Sequence, residues 1–358
     1  MKLIIILGIL MSSIGSLAFG QEKTTLNILF TDGKQHSVKI EKVLGNQYYL
    51  DSLPEKAING KDILFNAVIR NPAYVSFVID SNYRTHPVVL HPGLNIVQAR
   101  LFQNRYQLIR RDKYLEENAM GAYNNLFANN YDIYKYLRDH QLGNMQMKDS
   151  LLNLSYNNTD TAVSIIAKDY SSSYVPLYKV AHLLPFGNRP IFREIYNGLD
   201  TNLKNSKIGQ ILDLELKKAE QGSIGNEFPK FSLTNRNNVV TDLNTIINNN
   251  KFTLIDYWYS NCGPCIAQFT VLAELFRTHK ENGFSIVGIS VDQDQKKWLK
   301  AVEKYQIPWT SLIDSKKNSA DYFGITAYPS NFLVDASGQI ISTNMTTESL
   351  RKFLKENM

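Results

Sequence analysis

Residues 251–265 read KFTLIDYWYSNCGPC. The first nine are rich in β-branched and aromatic side chains and predict a strand. Two residues after them stands Cys262-Gly263-Pro264-Cys265. The following PCIAQFTVLAELFRTHK, residues 264–280, spaces its apolar residues as an amphipathic helix does. Two cysteines separated by two residues, between a strand and the start of a helix, form a redox arrangement. Helix N-terminal amides and the macrodipole stabilise a thiolate on Cys262, and the position at the helix start is expected to leave it partly exposed. Cys265, one turn on, can attack a mixed disulfide at Cys262 and release the bound partner. Gly263 and Pro264 shape the first turn, where a missing N–H costs nothing. Cys262 is therefore the candidate attacking thiolate and Cys265 the candidate resolving thiol.

These are the chain's 2 cysteines. A disulfide across so short a loop adds little cross-linking entropy, so its reason is chemical. The competing reading is half of a zinc site, which needs two further ligands. The 6 histidines are scattered, and His86 and His91 fall on opposite faces of a strand. No metal and no cofactor are expected.

Working outward, FPKFSLT and NRNNVV (228–240) predict a hairpin. FSIVGISVD (284–292) predicts a strand buried on both faces. Helical and strand patterns then alternate: a helix over 294–306, a strand over 309–314 and a short helix over 318–324. A hairpin with Ser337-Gly338 at its turn and a closing helix over 346–357 end the chain. Residues 222–358 thus predict an α/β sheet with helices on both faces, large enough for its own core.

Upstream, residues 112–221 predict a helical connector region. KYLEENAMGAYNNLFANNYDIYKYLRDH (113–140) and QILDLELKKAEQ (210–221) have helical spacing, although Leu212, Leu214 and Leu216 do not share one stripe. Tyr156–Thr161, YNNTDT, reads as a loop. Residues 21–111 carry short β-rich segments such as LNILF, HSVKI, QYYLD, YVSFVID and NIVQARLF. Turn signals including Pro92-Gly93 separate them, predicting an all-β, antiparallel sandwich-like or barrel domain.

The first residues read MKLIIILGILMSSIGSLAFGQEK. Lys2, the apolar run Leu3–Met11 and Ala18-Phe19-Gly20 predict a signal peptide over 1–20, hence a periplasmic or cell-envelope protein. If left uncut, the segment would tether the protein to a membrane. No cysteine stands near Gln21, which excludes lipid attachment there. The 358 residues predict two or three domains. The net charge of +6 is mild and forms no Lys/Arg run that would track phosphates, so nucleic acid is not an expected partner.

LIDYWYSNCGPC resembles the active-site strand and loop of thioredoxin. From IGNEFPKFSL onward the module is similar to the exported thiol–disulfide oxidoreductases of the TlpA/ResA type, over about 222–358. The resemblance implies a thioredoxin-like fold and assigns supporting roles residue by residue. Asp256 matches the family's buried acid below the disulfide, able to accept the proton of Cys265 if desolvation raises its pKa. Trp258 matches the tryptophan under the active-site loop, chiefly a packing role. Tyr328-Pro329-Ser330 matches the loop facing the disulfide, whose proline is cis in the family and presents backbone to substrate. Three positions depart from the pattern: Asn261 replaces a frequent tryptophan, Gln268 stands where many of these reductases carry an acid, and Gly288 replaces thioredoxin's lysine. They bear on pKa, potential and substrate choice.

Three functions follow as expectations. The first is an exported disulfide reductase, fed by a membrane thiol-relay donor and acting on exported cysteine-containing proteins. The second is a peroxiredoxin-like thiol peroxidase; in that family a Thr or Ser lies three before the reactive cysteine with a proline further upstream, whereas here Tyr259 and Ile255 occupy those places. The third is a binding or sensing protein in which the residues before 222 do the main work.

Overall fold

The computed structural model describes residues 23–42, 58–68, 72–85, 87–102, 105–110, 114–139 and 145–358. The signal segment, QYYLD and His86 lie outside the described residues. The chain splits into two compact units, one within residues 1–112 and one built mainly of 113–358.

The first unit is made of strands. They are β1 (Lys23–Phe30), β2 (His36–Lys42), β3 (Ile58–Gly60), β4 (Asp62–Val68), β5 (Ala73–Ile79), β6 (Tyr83–Arg84), β7 (Val88–Leu90), β8 (Leu94–Phe102) and β9 (Arg105–Arg110). One sheet has the order β4-β1-β8-β9; the other has β3-β2-β5-β6, with β7 also on β5. Period-two alternation along β1 buries Leu26, Ile28 and Phe30. These pack with Val38 and Ile40 of β2 and Val75, Phe77 and Ile79 of β5, so the two sheets close on one core. The short strands predicted antiparallel pairing throughout, and the structure departs from that at β1. β1 lies between β4 and β8 and runs parallel to β8, Thr25 opposite Leu94 through Phe30 opposite Ala99. A parallel pair needs a long crossover rather than a tight turn, and the chain between β1 and β8 supplies it.

Where β1 turns into β2, His36 is buried. Its Nδ1 lies 2.8 Å from Asp80 Oδ2 and its Nε2 3.0 Å from Asp32 Oδ1. The Phe30 ring stacks on the imidazole at 4.1 Å. Burial alone would lower the imidazole pKa; the two carboxylates outweigh it and hold the pKa above the ordinary value. Tyr106, whose hydroxyl is 3.3 Å from Nδ1, is pushed up to about 12, first by burial and then by the same two acids.

Among the described residues the second unit opens with the α-helices α1 (Tyr114–Asp139), α2 (Met145–Asp169), α3 (Tyr174–Leu183), α4 (Pro190–Gly198), α5 (Thr201–Asn205) and α6 (Lys207–Gln221). In α6, Ile208, Leu212 and Leu216 form one buried stripe, and Leu214 points to solvent, 57% exposed. That resolves the three leucines. The loop expected at Tyr156–Thr161 is instead the interior of α2. Its polar residues are occupied. Asn130 of α1 donates to Ser155 O and Thr159 Oγ1, both at 2.9 Å, and Asn158 donates to Asn130 Oδ1 at 3.0 Å. A buried polar seam between two helices thus satisfies side chains that in isolation favour turns.

The remaining elements are β10 (Ser232–Asn235), β11 (Val240–Asp242), α7 (Leu243–Asn248), β12 (Phe252–Trp258), α8 (Gly263–His279), β13 (Phe284–Ser290), α9 (Gln295–Lys304), β14 (Thr310–Ile313), α10 (Asn318–Tyr322), β15 (Ser330–Asp335), β16 (Ile340–Thr343) and α11 (Thr347–Asn357). They form a seven-stranded mixed sheet of order β11-β10-β14-β13-β12-β15-β16. β12 is central, parallel to β13 and antiparallel to β15. Alternation along β12 sends Leu254 and Trp258 to one face, with Phe269 and Leu272 of α8, Trp298 of α9 and Leu350 of α11. Ile255 and Tyr257 go to the other face, with Leu243 and Ile247 of α7 and Phe228. Asp256 therefore shares the face covered by α8.

Candidate active site

The site is where β12 ends and α8 begins. Cys262 is the N-cap of α8, and its Sγ accepts the backbone N–H of Cys265 at 3.2 Å. Gly263 and Pro264 occupy the first turn, which carries no acidic residue. The helix thus aims its free amides at the first sulfur, the condition that lowers a thiol pKa. The two cysteines are joined in a disulfide, Cα to Cα 5.2 Å. Cys265 is fully buried. Cys262 is 1% exposed, so the expected partial exposure is absent in this state. The physical reason is the bond itself: it ties Sγ to a buried partner and packs it into the cluster around Trp258. Asn261, Gly263 and Pro264 are the exposed residues around it.

The loop before Cys262 has an anchor that the sequence reading missed. Asp292, just past β13, accepts the Ser260 N–H at 2.8 Å, the Ser260 hydroxyl at 2.7 Å and the Ser290 hydroxyl at 2.7 Å. Three hydrogen bonds to one carboxylate fix the backbone two residues ahead of Cys262. An acid two residues after an apolar strand's end was the signal available in FSIVGISVD.

Asp256 is 1% exposed. Burial raises its carboxyl to about 7, against a smaller lowering by the Gln268 amide. Gln268 Nε2 lies 3.3 and 3.4 Å from the two carboxylate oxygens. Gly288 is the residue directly across β13 from Asp256. A Cβ there would stand 2.9 Å from Trp309 Nε1 and 3.2 Å from Trp258 Nε1, so the glycine makes room for two indoles. The Trp258 ring meets Phe269 edge-on at 5.2 Å. A carboxyl poised near neutrality on the face that holds both cysteines can take up a proton as a thiolate forms.

Tyr328–Pro329 is a cis peptide bond. It lies at the entrance to β15, and Tyr328 meets Tyr259 edge-on at 5.6 Å. The Tyr328 phenol is pushed up to about 12, mainly by burial. Among the described residues, no cluster of three His, Cys, Asp or Glu side chains could hold a metal ion.

Comparison with known proteins gives the following. Residues 224–343 match the profile of the AhpC/TSA family. The thiol-disulfide oxidoreductase ResA of Bacillus thuringiensis subsp. konkukian is 26% identical over 142 residues, 39% of this chain and 81% of that protein. ResA of Bacillus subtilis is 23% identical over 133 residues, 37% of this chain and 73% of that protein. Among solved structures, a thiol-disulfide oxidoreductase from Bacteroides fragilis is 28% identical, with a TM-score of 0.35, and is matched over 37% of this chain and 100% of that one. The C-terminal part of the chain is an AhpC/TSA thioredoxin-like domain related to the ResA thiol–disulfide oxidoreductases, with its redox cysteine pair in place. The family match leaves the residues before 224 unassigned.

Proposed function

We propose, from the premise of a ResA-related thiol–disulfide oxidoreductase domain, that this protein is an exported disulfide reductase acting on cysteine-containing exported proteins. The observation that carries the reading is Cys262 serving as the N-cap of α8, with Cys265 one turn behind it. In the reduced form the Cys262 thiolate attacks a substrate disulfide. A mixed disulfide forms and one substrate thiolate leaves. Cys265 then loses its proton, with Asp256 as acceptor, and attacks the Cys262 sulfur. The second substrate thiolate leaves, the Cys262–Cys265 disulfide forms, and two electrons have passed to the substrate. A further dithiol must restore the pair, which in an oxidising compartment calls for a membrane thiol-relay donor. In this reading the cis Pro329 would offer its backbone to the bound substrate, as the resemblance implies, and Trp258 packs in the same cluster as the two cysteines.

The peroxidase reading lacks its Thr or Ser: the residue three before Cys262 is Tyr259, and its ring is engaged with Tyr328. The reading in which the upstream residues do the main work is separated by one variant, since Cys262→Ser would then keep full biological activity. Export is tested by sequencing the N-terminus of the mature protein: a start at Gln21 supports it, and a retained Met1 in a soluble fraction counts against it.

The decisive measurement is the reduction potential of the cysteine pair, equilibrated against defined thiol buffers. A value near about −270 mV supports a reductase, and a value near about −120 mV means that the protein inserts disulfides instead.

A further inference from the structure

Tyr328 packs against the cluster that holds both cysteines, and it and Pro329 also face a groove. With Ser330, Ser342 and Ser349 they contribute one part of the lining of a groove of about 580 Å³, within the size range of ligand sites. The other part comes from the helical region: Asn153 and Tyr156 of α2, and Phe186 in the turn after α3. The groove carries one ionic side chain, Arg189, and it is neutralised: Nε stands 2.6 Å from Asp160 Oδ2, and the guanidinium lies 4.3 Å over the Phe192 ring. What remains is uncharged: amide and hydroxyl groups set among apolar and aromatic side chains, Leu152, Met345 and Phe186 among them. That is complementary to a polypeptide backbone with uncharged side chains. The groove is connected to the redox centre through Tyr328, whose ring touches Tyr259, three residues before Cys262.

We infer that α2 and the 185–189 turn form a second wall of the substrate site, and that the groove holds an extended, uncharged polypeptide segment flanking the disulfide that Cys262 attacks. The inference rests on the reductase reading and adds a specificity role for helices that the sequence reading treated as a connector. The covalent step is the one already given; the groove supplies binding alone.

The test compares two probes on the full chain: a neutral extended peptide with one internal disulfide, and hydroxyethyl disulfide. Asn153 is exposed on α2, so Asn153→Arg places a long charged side chain at the groove without disturbing the core. It should lower kcat/KM for the peptide about tenfold and leave hydroxyethyl disulfide within about twofold. Phe186, 51% exposed, gives a second variant: Phe186→Ala should cost the peptide about threefold and the small probe nothing. Equal losses on both probes, or no loss on the peptide for either variant, would overturn the inference while reduction of hydroxyethyl disulfide by the parent keeps the reductase reading. A parent protein that reduces neither probe overturns both.

Discussion

His36 in the first unit has a carboxylate on each ring nitrogen, Asp80 on one side and Asp32 on the other. Asp256 in the second unit is as deeply buried, and its partner is the neutral amide of Gln268 at long range. Both pKa values stand above the ordinary ones, for opposite reasons: ion pairing overcomes burial at His36, and burial itself acts at Asp256. The difference separates structure from chemistry. A paired charge holds two turns of a sandwich together. An acid buried without a cation destabilises the fold at neutral pH, so its place there points to proton transfer.

The stability consequences differ in window. At His36 the folded pKa lies above the unfolded value of 6.5, so its contribution is complete below about pH 6.5 and is lost as pH rises through the folded pKa. At Asp256 the folded value is about 7 against 3.8, so the folded state holds the proton more tightly. Stability then falls as pH rises from about 4 to about 7 and is level above; the full penalty is at most about 4 kcal/mol.

Four variants break or sharpen this contrast. Cys262→Ser should remove thiol exchange, by about a thousandfold or more. The protein should still fold, because serine is itself a good N-cap, and both pH windows should persist in denaturant titrations. Loss of either window would mean that it belongs to the redox pair. Asp256→Asn should slow turnover near pH 7 about a hundredfold, while raising stability at pH 8 by up to about 4 kcal/mol and leaving it unchanged near pH 3. A destabilised Asp256→Asn protein at pH 8 would sink the reading of this acid as a tolerated cost. Gly288→Ala, across the strand from Asp256, should cost about 1–3 kcal/mol through its collision with the two indoles, read as a lower thermal midpoint. His36→Gln should cost about 1 kcal/mol at pH 6, screening by solvent at Asp80 included, and close to nothing at pH 9. Equal losses at the two pH values would show that the imidazole acts by shape and not by charge.

Much of the second unit was legible because its information is local. The strand, the cysteine pair and the amphipathic helix lie within residues 251–280, and the helix–strand alternation to residue 358 follows from periodicity. The pieces that escaped are those set by distant partners. The parallel neighbour of β1 is β8, some 70 residues away in sequence. Tyr156–Thr161 holds a helix because Asn130 meets Ser155 and Thr159 from another one. The clasp of Asp292 on Ser260 joins the ends of two strands; an acid just past FSIVGIS marks one end of it, and nothing local names Ser260 as its partner. Cys262 is buried by its bond to Cys265 and by the cluster around Trp258, contacts that spacing does not encode. Asp256 was legible in position, and its environment needed Gln268 and Gly288 to come together from α8 and β13.

The Cys265 amide donates to the Cys262 sulfur. One backbone proton therefore sits on the atom whose chemical state changes at every step of turnover: thiolate, mixed disulfide, internal disulfide. Its NMR resonance should move with each of these states, so a single isotope-labelled cysteine amide would serve as an internal redox gauge, readable in real time without dye, tag or quench.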